Sequence, residues 1–564
     1  MRSRAPATCA RRAEPVLRLL TLVCLLLAVP VLGVLGSWLV FDAQSLDTLR
    51  HQWQTVLPEY AWHSLLLAGG VGLGVVAVGG ATAALVSLFD FPGRRVFEWA
   101  LLLPMAMPAY VLAYAATDFL QFSGPLQSAL RGLSGAQGAL WPDVRSLPGA
   151  MALFVLCLYP YVYLLTRAAL GERAVPLMEA ARLLGAGPWR RVREVALPLA
   201  RPALAAGAAL ALMETLADYG VGSYFGLATI TTGIYKAWLA MDDRVAAAQL
   251  ASLLLAGVAL LLWAERQAQR RLRFAGGGRG AAHGAEARPL ALRGGAAALA
   301  VAACALPVLL GFVLPVAVMM RLAVLEAQAG GGLAAPVWGR FLQWGWTSLR
   351  LAVVASLLAL GLALMLGFAR RVRSGGLLRW AAQVVSLGYA VPGAVIAVGI
   401  LLPLGWLQAV APASGAGLLV TGTVAGLLYA YLVRFSAVAL QSVDAGYARV
   451  PASVDETARM LGASRRRLFL ELHAPLLRRS ALAAALLVFV DVMKELPATL
   501  LLRPFDSDTL AVVAYQLARD ERLGEAALPS LAIVAVGLLP VLWLSRAMRG
   551  PTPPQDSGQQ KGSP

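Results

Sequence analysis

Four carboxylates sit among apolar neighbours. Glu214 and Asp218 lie in Met213-Glu-Thr-Leu-Ala-Asp-Tyr-Gly220, and Asp491 and Glu495 in Asp491-Val-Met-Lys-Glu-Leu-Pro497. Each pair is spaced i, i+4, which on a helix sets both acids on one face. An ionisable group inside an apolar span is costly and points to function. Four acids from two equivalent helices can line a central path and favour a cation over an anion. The same acids can instead cap broken helices near the outer interface, or Lys494 can neutralise Glu495. Sequence alone leaves these readings open. Other chemistry is sparse. The four cysteines and four histidines are scattered without metal-ligand spacing. Only three lysines occur, Lys236, Lys494 and Lys561, none in a G-x-x-x-x-G-K-[ST] context. The chain thus reads as lacking a P-loop, a catalytic centre and any cofactor of its own.

The elements that must hold these acids follow from composition. Of 564 residues, 59% are hydrophobic and 14% charged, with a mean hydropathy of +0.70. This excludes a soluble globular enzyme, which carries about twice that charge. At roughly 20 apolar residues per crossing, the sequence predicts an all-α polytopic membrane protein of about twelve spans. They fall near 16–41, 62–89, 96–120, 149–170, 202–224 and 246–264, then near 295–323, 345–369, 378–407, 415–440, 480–502 and 527–546. The net charge of +18 comes from arginines between apolar runs. That pattern suits anionic lipid headgroups and a positive-inside topology, not nucleic acid. It sets both termini in the cytoplasm, in a multi-pass membrane protein. The expected division is a cytoplasmic segment 1–18, a six-span unit 19–264, an Arg/Gly/Ala-rich linker 265–294, a second six-span unit 295–546 and a disordered tail 547–564.

The two units are copies. Residues 179–201 and 456–478, 277 apart, agree at eleven of 23 positions. Glu214 aligns with Asp491 and Asp218 with Glu495 at the same offset. Trp62-His-Ser-Leu echoes Trp346-Thr-Ser-Leu, and Pro108 echoes Pro392, at an offset of 284. Six spans per copy give a parallel duplication.

The strongest repeat lies in loops 171–201 and 441–479. Pro176 suits a first helical turn, and Glu179 adds negative charge near a helix N-terminus. Gly185 and Gly462 suit the left-handed residue that stops a helix. Ser464 is a candidate N-cap and Pro188 an early helical residue of the next helix. Pro198 and Pro475 mark the start of the next span. An amphipathic helix on lipid is the bland reading; two copies with matched acid, glycine and proline spacing favour a docking element.

Glu179-Ala180-Ala181, Gly185 and Val195-Ala-Leu-Pro198 resemble in full the loop signature of ABC importer permeases. Glu456-Thr457-Ala458, Gly462 and Leu472-His-Ala-Pro475 keep its spacing but depart at Thr457, His473 and Ala474. The resemblance implies the type I importer permease fold. It makes these short helices coupling helices, docked by two copies of an ATP-binding subunit that uses the ATP, with an extracytoplasmic solute-binding protein as third partner. Met213-Glu-Thr-Leu-Ala-Asp-Tyr-Gly220, Thr231-Thr-Gly-Ile-Tyr235, Ala246-Ala-Ala-Gln-Leu250 and Asp491-Val-Met-Lys-Glu-Leu-Pro-Ala-Thr-Leu500 look like fused permeases of ferric-iron importers. These motifs are shared in part with thiamine, putrescine and sulfate systems. The resemblance implies a permease of the bacterial inner membrane. A proton-driven secondary transporter is the competing class, and it leaves both loops unexplained.

Overall fold

The computed structural model describes residues 14–39, 43–170, 175–273, 290–329, 335–372 and 375–548. Nine helices among them are long and apolar enough to cross a membrane, and two bent pairs raise the number to eleven. The helix Ala474–Met493 adds a twelfth by position; Arg478, Arg479 and Asp491 make it less apolar than the rest.

In the first half, α1 (Glu14–Leu26) and α2 (Val29–Gly36) form one bent span, with Pro30 in the first turn of α2. Next come α3 (Leu57–Leu88), α4 (Ala109–Leu120) and α5 (Leu147–Ala169). The loop helix α6 (Val175–Leu183) leads into α7 (Leu197–Ala217), the five-residue α8 (Gly220–Tyr224) and α9 (Arg244–Arg273). The second half repeats this order. Its first span is α10 (Gly295–Val308) continuing into α11 (Leu314–Ala329). Then follow α12 (Ala335–Val372), α13 (Gly376–Leu387), α14 (Gly393–Val410) and α15 (Ala425–Tyr447). The loop helix α16 (Ala452–Met460), α17 (Ala474–Met493), α18 (Pro497–Leu502), α19 (Leu510–Arg519) and α20 (Leu523–Met548) complete it.

Packing repeats as the sequence does. α7 lies on α3 and α5, and α17 lies on α12 and α15. Each first span also reaches across. α2 packs on α14, and α11 packs on α4 as well as on α20. The α2–α14 crossing depends on glycine: a Cβ at Gly399 would lie 2.0 Å from the Pro30 carbonyl oxygen. Small residues let helix backbones meet where lipid offers no hydrophobic drive. Arg145, before α5, reaches to 3.6 Å of Glu521, before α20, so the loops ahead of these two helices meet across the halves.

Besides the bent 16–41 span, four expected spans are not continuous. The 96–120 and 378–407 spans break at Pro108 and Pro392, which are extended, as are Met107 and Val391 before them. Proline has no N–H to donate and drives the preceding residue out of the helical region. The 202–224 span ends at Ala217 and the 480–502 span at Met493. The 415–440 span is displaced to 425–447, since the hydropathy pattern took in the separate apolar turn 416–421 and stopped short of Asp444. The expected linker starts late: α9 runs on to Arg273 through Glu, Gln and Arg, which are good helix formers. At its far end Leu290–Ala291 (β2) pairs in parallel with Phe89–Asp90 (β1), tying the second half to the loop after α3. The expected tail lies largely outside the described residues, as do most of the N-terminal segment and the middle of the linker.

Candidate functional site

The two loop helices close in the same way. Gly185 and Gly462 have φ of +80° and +78°. The Ala186 N–H donates to the Ala181 carbonyl at 3.0 Å, and the Ala463 N–H to the Ala458 carbonyl at 3.0 Å. A left-handed glycine with this bond to the carbonyl five residues back is a Schellman ending. It turns the chain sharply and leaves Leu183 and Leu184 85% and 88% exposed, and Met460 and Leu461 88% and 82% exposed. Glu179, Ala180, Glu456 and Thr457 are exposed as well, with Ala181 and Ala458 half-buried beneath them. Pro188 opens the next short helix, and Ser464 Oγ accepts from the Arg467 N–H at 3.3 Å. Matched i, i+4 pairs follow, Arg190–Glu194 at 2.9 Å and Arg467–Glu471 at 2.6 Å. Pro198 and Pro475 lie in the first turns of α7 and α17.

The four acids meet elsewhere, at the far ends of α7 and α17. A cavity of about 110 Å³ is lined by Glu214, Asp218, Asp491 and Glu495, together with Arg434, Lys494 and Tyr389. Met107 and Pro108 also line it, so broken spans from both halves meet there. Irregular backbone at membrane depth is tolerated where it is enclosed by protein or lines a cavity.

The acids do not share a helical face, because each helix ends before its second acid. Asp218 Oδ1 accepts the Val221 N–H of α8 at 2.8 Å. Glu495 accepts the Ala498 and Thr499 N–H groups of α18 at 2.9 and 3.0 Å. Both therefore cap the helix that restarts the span, the structural role left open by sequence. The charge partners differ from expectation. Lys494 pairs with Asp491 at 3.0 Å, not with Glu495. Glu495 is held by Arg434 at 3.2 Å. Glu214 accepts from the Tyr389 hydroxyl at 2.7 Å and has Arg434 at 3.7 Å.

Among the described residues no three or more His, Cys, Asp or Glu side chains are grouped to hold a metal ion. In this structure the acids pair with Arg434 and Lys494 and cap α8 and α18. Sequence reasoning missed Arg434 and Tyr389. Arg434 had a usable signal, being a lone arginine in the apolar run Tyr429-Ala-Tyr-Leu-Val-Arg-Phe. Tyr389 had none.

Comparison with known proteins places this architecture. The profile of the family described as binding-protein-dependent transport system inner membrane component matches residues 76–274 and 359–549. The chain belongs to this family. Two matches in one polypeptide make it a fused two-repeat permease. It is 23% identical over 490 residues to the Fe(3+)-transport system permease protein FbpB 2 of Haemophilus influenzae, covering 87% of this chain and 90% of that protein. It is 28% identical over 233 residues to the molybdenum transport system permease protein ModB of Escherichia coli (strain K12), covering 39% of this chain and 96% of that protein. The permease is a multi-pass inner-membrane component of an ABC importer, a class that works with an ATP-binding subunit and a solute-binding protein.

Proposed function

We propose that this permease receives ferric iron from an extracytoplasmic binding protein and releases it into the cytoplasm by alternating access. Two copies of the ATP-binding subunit, one on α6 and one on α16, drive the change of state. The loops 171–201 and 441–479 and both termini then face the cytoplasm. Glu179, Ala180, Ala181, Gly185 and Pro198, with Glu456, Thr457, Ala458, Gly462 and Pro475, build the two docks. Glu214, Asp218, Asp491 and Glu495 border the path.

The observation that carries this reading is the pair of loop helices. Each ends on a left-handed glycine and holds two large apolar side chains in solvent. Exposed apolar residues on a rigid turn mark a protein interface. Support for a cation comes from the cavity, where carboxylates outnumber the cations Arg434 and Lys494 by two. Support for iron comes from the full-length similarity to an Fe(3+)-transport permease. An oxyanion is the second reading, supported by the two cavity cations and the similarity to a molybdenum transport permease.

The test is uptake into proteoliposomes holding the permease, its ATP-binding subunit and its binding protein. The expected result is Fe3+ accumulation that needs ATP and is unaffected by excess molybdate. Uptake that molybdate abolishes would move the assignment to an oxyanion. Uphill pumping by the permease alone, driven by a pH gradient, would remove the ABC reading. Within an iron importer, Glu214→Gln with Asp491→Asn is expected to depress Fe3+ uptake; unchanged uptake would leave these acids a purely structural role.

A further inference from the structure

The cavity repeats its acids and does not repeat its cations. At the offset that relates the halves, Glu214 corresponds to Asp491 and Asp218 to Glu495. At that offset Arg434 corresponds to Cys157 and Lys494 to Ala217. Both Cys157 and Ala217 line the same cavity. Tyr389 corresponds to Met105 at the earlier offset. Among the described residues, every side chain that neutralises or donates to a cavity acid therefore comes from the second half.

The consequence falls on Glu214. Asp491 has Lys494 three residues away in its own half, and Glu495 has the α18 amides and Arg434 in its own half. Glu214, at the end of α7, receives its two contacts from across the boundary, Tyr389 and Arg434. Arg434 is 8% exposed, and its Nε is buried without a hydrogen-bond partner among the described residues. The fit is close, since a Cβ on Gly393 would lie 2.8 Å from Glu495 Oε1 and 3.1 Å from Arg434 Nη1. A carboxylate at membrane depth needs a counter-ion or water. Removing one partner of a buried pair costs far more than the pair itself is worth.

We infer that Arg434 is a resident counter-ion that latches the two halves through Glu214, and that a cationic cargo releases the latch by taking its place. Separation of α7 from α15 and from the 388–390 turn packed on α15 withdraws Arg434 and Tyr389 from Glu214 together. A cation in the cavity supplies the missing charge, so the opening becomes favourable when cargo is present. Without cargo the latch holds the halves in one state. Arg434 is a positioning and specificity residue here, acting through Glu214. This rests on the reading of the cavity as the transport path.

The test reads ATP hydrolysis by the reconstituted permease–ATPase complex in the absence of cargo and binding protein. Arg434→Gln and Glu214→Gln should each raise this idle rate about tenfold, the factor for 1.4 kcal/mol of lost stabilisation of the resting state. The double variant should be no faster than either single. Tyr389→Phe, which keeps every charge, should raise the rate about twofold, or ~0.4 kcal/mol, and it covers the case in which Arg434→Gln does not insert. Arg434→Lys, which keeps the charge but not the forked donors that reach both acids, should raise the rate less than Arg434→Gln. Unchanged idle rates in both single variants that insert, or effects that multiply in the double variant, would overturn the latch. Cargo is absent from the assay, so failure of iron uptake and failure of the latch are read separately.

Discussion

Asp455 and His473 face each other at 2.9 Å in a buried socket under α16, at positions where the first half has Met178 and Ala196. Arg371 Nε donates to the other Asp455 oxygen at 2.7 Å, and the Tyr447 hydroxyl meets His473 Nδ1 at 3.2 Å. Under α6 the same socket is apolar, built from Leu88, Leu170, Met178, Ala196 and Ala200. One dock is thus held to the membrane unit by hydrophobic contact and the other by charge. The departure of His473 from the loop signature is half of this exchange.

The polar socket makes the second dock sensitive to acid. Burial pushes the Asp455 carboxyl up, but hydrogen bonds from Arg371 and His473 outweigh it and hold the group below its ordinary value. A carboxyl depressed on folding contributes stability that is full above its unfolded value, about 3.9. That contribution is lost as pH falls through the folded value. Hydrogen exchange of residues 452–463 is therefore expected to speed up below about pH 4, with no matching change in α6. Asp455→Ala should loosen α16 by about 3 kcal/mol at neutral pH, the cost of leaving a buried partner unpaired. Asp455→Met with His473→Ala, which copies the first half, should recover most of that loss. Equal acid sensitivity of α6 and α16 would contradict this assignment.

Gly185 and Gly462 should fail on substitution for a conformational reason, not a steric one. Among the described residues a Cβ at either position meets nothing within 4 Å. The left-handed backbone is what excludes other residues, at ~1–2 kcal/mol for an ordinary side chain. Gly185→Val and Gly462→Val should abolish or uncouple ATP-driven uptake while inserting normally. Gly185→Asn should retain most uptake, because asparagine enters the left-handed region readily. A side chain that only blocked an interface would make asparagine as harmful as valine, and parallel uptake measurements on the two variants separate these cases.

Leu183 and Leu184 stand clear of the membrane unit, so their replacement should spare the fold and weaken the partner. Burying one such side chain is worth roughly 1.5–3 kcal/mol. Leu183→Glu with Leu184→Glu should weaken binding of the ATP-binding subunit at least tenfold in a titration of the purified permease, with an unchanged melting temperature. The corresponding pair Met460 and Leu461 should behave in the same way. Loss of thermal stability with unaltered affinity would instead make these residues part of the permease core.

Legibility in the sequence followed locality. The endings and starts of the loop helices were readable down to single residues, because a left-handed glycine, a serine cap and an early proline are each set by a few neighbouring atoms; Glu179 lies past the first turn of α6, not at its N-terminus. The duplication was readable because identities shared one offset. The cavity was readable only in part. The acids stood out against apolar surroundings, yet their partners lie 61 and 220 positions away, as Arg434 does from Glu495 and Glu214. No local rule selects such partners, and the nearest cation in sequence, Lys494, was the wrong one for Glu495. The broken spans escaped for a related reason. Hydropathy sums over a window and is blind to a single Pro108 or Asp218 that ends a helix inside it.

Glu495 and Asp218 occupy equivalent positions but carry different loads, and this yields an ordered pair of effects. Asp218 supplies one oxygen to the Val221 N–H. Asparagine caps as well as aspartate, so Asp218→Asn should cost less than about 1 kcal/mol. Glu495 uses both oxygens: one takes the Ala498 N–H and Arg434, the other takes the Thr499 N–H and hydroxyl. In Glu495→Gln one oxygen becomes an NH2 group, which sets a donor against a donor on one side or the other. An unmet buried donor costs ~1–3 kcal/mol, and Arg434 loses its closer charge partner besides. Glu495→Gln should therefore lower the melting temperature well below that of Asp218→Asn, with the loss partly restored by adding Arg434→Met. Equal melting temperatures for the two single variants would show that the Arg434 contact contributes nothing to holding the break in the second half.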